Sequence, residues 1–133
     1  MMDTSVIVES GYYGRLIVAR LKPNEDLVES LETKCIEHGI DRAIIRGVVG
    51  SLIDASLERG HGSSAREQPV SGPGVEILNV FGEIDLRDRA SPNTVLNGIV
   101  ADTKGQMFAG RFRRGANLSF ITIEVSLQEW ISN

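Results

Sequence analysis

The sequence is poor in the residues that build covalent or metal-based sites. It has one cysteine, Cys35, and two histidines, His38 and His61, which stand far apart in the chain. A lone cysteine excludes an intrachain disulfide and a cysteine metal cluster, and its place in a helical pattern predicts a buried structural thiol. Two separated histidines give little support for a histidine metal site within one chain. The composition therefore favours a chain with no metal and no cofactor.

Long apolar runs and an excess of basic residues are also missing. No run approaches the about 20 apolar residues that a membrane-spanning helix needs. The first residues, MMDTSVIVESGYYGR, lack the basic and apolar regions of a secretory signal. We therefore expect a cytoplasmic protein without membrane contact. The net charge of −4 gives no general attraction to nucleic-acid phosphates, and the one local basic run is RFRR, at 111–114.

What is present fits one domain built mainly of strands. With 133 residues and a 41% hydrophobic share, the chain can bury a single core. Gly47 and Gly50 indicate a bend, a bulge or a close backbone approach within one strand. The segments that predict strands are 14–21, 41–59, 75–86, 94–112 and the final LSFITIEVSLQEWI. In 75–86, Val75 and Ile77 are expected to share a face with Phe81.

One helix is predicted after the first strand. Asn24 is the expected N-cap, and Leu27, Leu31 and Cys35 recur at a spacing that places them on one face. Gly39 suits the position just after the helix end. One helix among strands joined by turns indicates an α+β fold, a mostly antiparallel sheet with one main α-helix packed on it. Residues 60–74 predict a flexible loop, either a disordered connection or a lid.

Residues 94–112, TVLNGIVADTKGQMFAGRF, predict two strands joined by a tight turn. DTKG fits a type I turn followed by Gly105 in the left-handed region, and such a turn fixes the register. Asn97 then lies opposite Arg111, and Val95 lies opposite Arg113, all on one face. The other face is expected to be core, with Leu96, Gly98, Val100, Phe108 and Phe112.

Two interpretations of the polar face remain open. It is either a solvated surface whose arginines protect a sheet edge, or an anion site. In the second case Arg111 offers its planar fork to a carboxylate or phosphate, Asn97 orients the ligand, and Arg113 or Arg46 supplies a second cation. Glu124 is a candidate ligand contact or acid–base group, with a structural ion pair to an arginine as the alternative.

The chain resembles the plants-and-prokaryotes conserved domain (PPC) family in its free-standing bacterial form. The resemblance rests, in order, on RLIVARLKPNEDLVESLETKCIEHGIDRAIIRGVVGSLIDASL, GPGVEILNVFGEI and NGIVADTKGQMFAGRF. It spans about residues 15–127 of what we predict to be a single domain over 1–133. It implies an α+β fold that assembles as a homotrimer with clefts between subunits.

The same resemblance implies a metal site that this chain has lost. Family members carry three hairpin histidines associated with an ion such as zinc. Aligned through the turn, those positions fall on Val95, Asn97 and Arg111. Valine cannot ligate, asparagine is a poor zinc ligand, and a guanidinium repels a cation. The comparison therefore predicts a pocket that uses arginine in place of metal to hold a small anion.

Three functions follow as alternatives, and whether the chain is an enzyme stays open. The first is a trimer that binds a small carboxylate between subunits. The second is DNA binding, because bacterial family members often carry that label. The third is an interaction trimer without chemistry. The chain lacks the RGRP-type hook of plant members, and its acidic helix, NEDLVESLE, would repel phosphates, so direct nucleic-acid binding is disfavoured.

Overall fold

The computed structural model describes residues 7–133, which form one antiparallel sheet and one α-helix. The elements are β1 Gly11–Leu21, α1 Leu27–Glu37, β2 Arg42–Leu52, β3 Ala55–Arg59, a 3₁₀ turn Gly62–Ser64, β4 Arg66–Val70, β5 Val75–Asp85, β6 Val95–Ala101, β7 Met107–Phe112 and β8 Ser119–Ser132. The strand order is β1-β8-β2-β5-β6-β7-β3-β4, and neighbouring strands are antiparallel. The predicted α+β fold is confirmed. Residues 1–6, on which the prediction of no secretory signal partly depends, lie outside the described residues.

Helix α1 packs its apolar stripe against one face of the sheet. Leu27, Leu31 and Cys35 are fully buried and belong to the same core cluster as the inward side chains of the strands. Burial raises the pKa of the Cys35 thiol to about 11, so this thiol is neutral and unreactive near pH 7. Within residues 7–133, no helix is both long and apolar enough to cross a bilayer.

The start of helix α1 differs from the prediction. The N-cap is Asp26, not Asn24, and its Oδ2 accepts a hydrogen bond from the N–H of Glu29 at 3.0 Å. Asn24 lies in the preceding turn with a φ of 69°. Both residue types suit an N-cap, and Asp26 gains a second, distant donor, the N–H of Asn117, which local sequence does not reveal. The predicted helix end is confirmed, since Gly39 follows the C-cap with a φ of 66°.

Strand β2 is irregular at its two inner glycines, as the sequence predicted. Its register against β8 shifts between Ile45 and Gly47, and again between Gly50 and Leu52. A side chain at Gly50 would come within 2.7 Å of the Cα of Ile123, so the close strand approach requires glycine there.

Strands β2 and β5 pair only at their ends. Pairs form at 42–44 of β2 and again at 51–52. Between these ends, the described ladders show no pair between 45–50 of β2 and 77–82 of β5, although β2 also pairs with β8 on its other side and β5 with β6. We call this interval between β2 and β5 the seam.

Two sequence predictions about the middle of the chain were wrong. Residues 60–74 are not a simple loop, because β4 pairs with β3 along its whole length. The polar composition of β4 and its Pro69 do not indicate a strand in the sequence. Proline is nevertheless tolerated on an edge strand. In β5, a bulge between Ile77 and Asn79 shifts the alternation, so Val80 is buried and Phe81 is 53% exposed.

Candidate functional site

The β6–β7 hairpin has the predicted turn and register. Gly105 has a φ of 81°, and the N–H of Asp102 donates to the carbonyl of Gln106 at 2.9 Å. The Asp102 Oδ1 accepts hydrogen bonds from the N–H groups of Lys104 and Gln106, both at 2.9 Å, which holds the turn closed. Asn97 pairs with Arg111, as predicted.

The predicted pair of Val95 and Arg113 does not form. The described β6–β7 ladder ends at Asn97 and Arg111, and the N–H of Arg113 donates to the carbonyl of Ser56 at 3.1 Å. The chain therefore turns from β6 toward β3 at the end of the hairpin. The predicted core face is confirmed, because Leu96, Val100 and Phe112 are buried.

Asn97 and Arg111 belong to a row of side chains that runs across four strands. Phe81 of β5 pairs with Asn97, Asn97 with Arg111, and Arg111 with Glu58 of β3. Arg111 Nη2 lies 2.5 Å from Glu58 Oε1 and also donates to the carbonyl of Gly60 at 3.3 Å. Both charged side chains are about one-third exposed or less, at 27% and 33%. The arginine is therefore held in a partly desolvated ion pair.

The two following arginines are also paired with glutamates. Arg113 Nη1 lies 2.6 Å from Glu67 Oε2 and donates to Ser56 Oγ at 3.1 Å. Arg114 makes two hydrogen bonds to Glu32 of α1, one of them between Nη2 and Oε2 at 2.7 Å. Burial is the largest single influence on the pKa of Glu32 and would raise it, but hydrogen bonding and the positive charge of Arg114 together outweigh burial and hold that pKa below its usual value.

A cavity of about 250 Å³ opens at this end of the hairpin. Its lining comprises Val28, Glu58, Thr94, Arg111, Phe112, Arg113 and Arg114. The cavity is rich in guanidinium groups, yet each of its arginines has a carboxylate partner. An anion could therefore bind only by competing with a glutamate for one of these guanidinium groups. The Arg111–Glu58 pair is less exposed than the Arg113–Glu67 pair.

Asn117 holds the backbone of this site in place and was not predicted. Its side chain is fully buried; Oδ1 accepts from the N–H of Ser56 at 2.8 Å, and Nδ2 donates to the carbonyls of Ser56 and Arg113 at 3.0 and 2.9 Å. It thus clamps β3 to the segment that carries the arginines. The sequence gives only a weak signal, a turn-forming GAN directly after RFRR, and no signal for the glutamates that pair with the arginines.

The other two predicted site residues lie elsewhere on the sheet. The Arg46 guanidinium lies over the Tyr13 ring, 5.9 Å from its centroid. Glu124 of β8 forms an ion pair with Arg20 of β1 at 2.5 Å. This contact matches the alternative interpretation of Glu124, a structural ion pair with an arginine. Within one chain, Arg111 and Arg113 line one cavity, and Asn97 lies opposite Arg111 in the hairpin but is not part of that lining. Arg46 and Glu124 lie elsewhere, on β2 and β8.

The metal that the family resemblance implies does not fit these residues. The three aligned positions hold an exposed valine, an asparagine and an arginine that is already ion-paired to Glu58. Across residues 7–133, no three His, Cys, Asp or Glu side chains are grouped closely enough to hold a metal ion. A guanidinium at the centre of the site would repel a divalent cation, so the donor set at these positions suits an anion and not a metal.

Comparison with known proteins agrees with the fold. A Pyrococcus horikoshii plant- and prokaryote-conserved (PPC) protein is 20% identical with a TM-score of 0.81, covering 96% of this chain and 87% of that chain. A metal-containing protein from Archaeoglobus fulgidus is 19% identical, with a TM-score of 0.80 and coverage of 96% and 88%. A "putative dna binding protein" from Bacteroides thetaiotaomicron is 16% identical, with a TM-score of 0.73 and coverage of 90% and 83%.

These likenesses lie below 25% identity and concern the fold alone. Among curated proteins, none matches the chain. The model of the family described as "Plants and Prokaryotes Conserved (PCC) domain" matches residues 8–131, almost the whole chain. The chain therefore belongs to the plants and prokaryotes conserved domain family.

Proposed function

We propose that this chain binds a small carboxylate-type anion, with Arg111 as the main clamp and Asn97 as the orienting amide. The observation that carries the proposal is the Arg111–Glu58 contact beside the 250 Å³ cavity. Arg111 already holds a carboxylate at 2.5 Å, in a partly desolvated setting where charge-assisted hydrogen bonds are strong. A ligand carboxylate would take the place of Glu58.

Competition with Glu58 sets the character of the ligand. Each arginine of the site is already paired with a glutamate. A ligand that offers only a negative charge would therefore gain little binding free energy there. A favourable ligand has a planar carboxylate for the Arg111 fork and a body that contacts Phe81, the exposed aromatic next in the row. Arg113 would supply the second cation after release from Glu67. Because the ligand replaces an internal partner, we expect modest affinity.

We also propose that the pocket is completed in a homotrimer. The outer face of the sheet, opposite α1, carries apolar side chains that are exposed to water in the single chain. Val49 is 72% exposed, Val18 67% and Phe81 53%. Exposed apolar groups spread over neighbouring strands favour burial between subunits. Arg46 and Glu124, which lie toward this face, would act on the ligand only across such an interface.

The test is a malonate titration followed by thermal unfolding and calorimetry. We expect a saturable rise in the unfolding temperature of the wild-type protein. Arg111→Ala should abolish the rise. Glu58→Gln should strengthen binding roughly tenfold, because it removes the internal competitor for a charge-assisted hydrogen bond.

The matched control is Lys34→Ala, which breaks the Lys34–Glu37 ion pair on α1, outside the cavity lining and on the opposite side of the sheet from the outer face. This variant should bind malonate as the wild type does. No stabilisation of the wild type, or equal stabilisation of Arg111→Ala, would refute the proposal and leave an interaction trimer without chemistry.

DNA binding is the second candidate, favoured by the name of the Bacteroides relative and by the RFRR run. Against it, the arginines of this run that line the cavity are paired with glutamates, and the net charge is −4. A mobility shift of duplex DNA that weakens steeply with salt would support it. A duplex that stays unshifted at about 50 μM protein, a concentration at which even nonspecific binding is measurable, would exclude it.

A further inference from the structure

A cluster of hydrogen-bond donors lies where β8 ends beside the start of β2. Three donors converge on one oxygen, Oε1 of Glu9. Arg42 Nη1 donates at 2.7 Å and Trp130 Nε1 at 2.8 Å, and the hydroxyl of Ser132 donates as well. The donors belong to the sheet, whereas Glu9 belongs to the short arm before β1.

Two of the three donors, Arg42 and Trp130, also make contacts that do not involve the arm. Arg42 is 16% exposed and its Nε also donates to Glu83 of the neighbouring β5 at 2.6 Å. The Trp130 ring packs edge-on against Tyr13, with centroids 5.6 Å apart, which orients the indole N–H. A guanidinium, an indole and a hydroxyl directed at one point form a receptor for an oxyanion.

The arm that fills this receptor has few other attachments. Ile7 and Val8 are 89% and 87% exposed, so they bury little apolar surface. Ser10 is bound through Asn133, whose backbone N–H donates to the Ser10 carbonyl at 3.0 Å and whose Nδ2 donates to the Ser10 Oγ at 2.6 Å. The Glu9 carboxylate is thus the main side-chain anchor of this arm among the described residues.

Space for a larger ligand lies beside the donors. A cavity of about 330 Å³ is lined by Arg42, Trp130 and Ser132, the same three residues, together with Asp41, Arg87, Glu129 and Ile131. Arg87 is held by Asp85 at 2.7 Å and Glu129 by Arg15 at 3.1 Å, so the surrounding charges are balanced.

We propose that Arg42, Trp130 and Ser132 form a carboxylate-binding site that Glu9 occupies in cis and that an external carboxylate occupies when the arm withdraws. The ligand is a carboxylate, either free or borne on an acidic side chain of an extended peptide. This site is separate from the 250 Å³ cavity lined by Arg111, which we call the Arg111 cavity. Hydrogen bonds from Ser132, Trp130 and Arg42 lower the pKa of Glu9 to about 2, so release comes from competition and not from protonation near pH 7.

Trp130 makes the test direct, because it is the only tryptophan in the chain. The Glu9→Ala variant is titrated with sodium acetate, against sodium chloride at equal ionic strength, while indole fluorescence is recorded. We expect a saturable change in Glu9→Ala, with an apparent affinity roughly tenfold or more above that of the wild type. Adding Ser132→Ala or Arg42→Lys to Glu9→Ala should weaken binding.

Two controls separate this site from others. Glu124→Ala removes an exposed carboxylate from β8 without opening the receptor, so it should respond as the wild type does. Arg111→Ala should leave the acetate response unchanged, which separates this test from that of the Arg111 cavity. The capped peptide Val-Glu-Ser-Gly then distinguishes the sources, since tighter binding than acetate indicates a peptide carboxylate and equal binding a free one.

The proposal is overturned if Glu9→Ala, shown to be folded by circular dichroism, gives no saturable response to acetate. It is also overturned if the response survives both added substitutions. Arg42→Lys keeps the positive charge, and Ser132→Ala removes only a hydroxyl group. At least one of the two variants is therefore expected to fold and to decide the outcome.

Discussion

Asn117 shows how much one buried amide contributes to this molecule. Its side chain makes hydrogen bonds with three backbone groups of Ser56 and Arg113, and its own N–H donates to the helix cap Asp26 at 3.0 Å. It therefore joins β3, the arginine segment and the start of α1. A buried polar group is costly when its partners are lost, so this position links the stability of the fold to the shape of the site.

We expect Asn117→Ala to lower the free energy of unfolding by about 2 to 4 kcal/mol, since it leaves buried backbone groups unsatisfied. Urea denaturation followed by circular dichroism measures this change. The exposed Asn93→Ala is the matched control and should change stability by less than about 0.5 kcal/mol. Equal effects of the two substitutions would contradict the role given to Asn117.

At the scale of elements, the β6–β7 hairpin was the most predictable part of the fold. Its register follows from the four-residue turn and the position of Gly105, both local features. Helix α1 was predictable because its apolar spacing is local too. The same local logic located Asn97 opposite Arg111, and the structure confirms that pair.

Predictions failed where distant residues decide the outcome. Asp26 becomes the N-cap because Asn117, far along the chain, donates to its second oxygen. Strand β4 forms because β3 offers it a partner, although its own sequence is polar. The glutamates that neutralise the arginines come from α1, β3 and β4. No spacing within a single segment reveals such pairs, so the site's chemistry was predicted only in part.

The turn of this hairpin offers a test at the same scale. Gly105 adopts a φ of 81°, a region that costs a residue with a side chain about 1 to 2 kcal/mol. Gly105→Ala should therefore reduce the free energy of unfolding by that amount, as measured in urea. Lys104→Ala, one residue earlier in the same turn, should be nearly neutral; a comparable loss there would show that the turn tolerates no change at all.

For the whole molecule, acid should be destabilising through several carboxylates at once. The pKa values of Glu32, Asp85 and Glu129 are lowered by hydrogen bonds from arginines, although burial opposes the shift. Since these pKa values are lower in the folded than in the unfolded chain, the unfolded chain binds more protons in acid. Their stabilisation is present above the ordinary carboxyl values and is lost as the pH falls through the folded-state values.

We therefore expect the urea midpoint to be steady between about pH 5 and 8 and to fall below about pH 4. Glu32→Gln should lower stability at pH 7 by roughly 1 to 2 kcal/mol and flatten the acid limb, because it removes the charged partner of Arg114 from a buried position; the half-exposed Arg114 keeps the loss moderate. A midpoint that rises on acidification would contradict this assignment.

Assembly is the second property of the whole molecule. If the outer face is buried between subunits, Phe81→Glu should shift the sedimentation of the protein toward that of the 14.5 kDa monomer. Ile36→Glu is the matched control, since Ile36 is an exposed apolar residue on α1 rather than on the outer face. A wild-type protein that already sediments as a monomer would refute the proposed trimer.

We expect the seam to divide the molecule into two units that open at different rates. One block, β1-β8-β2, and the other, β5-β6-β7-β3-β4, share ladder pairs only at the two ends of the seam. Backbone amides in the two blocks should therefore exchange with deuterium as two cooperative units, a behaviour that local unfolding permits. The Arg111 cavity lies at the second block, so malonate should slow exchange there and leave the amides of β8 unaffected.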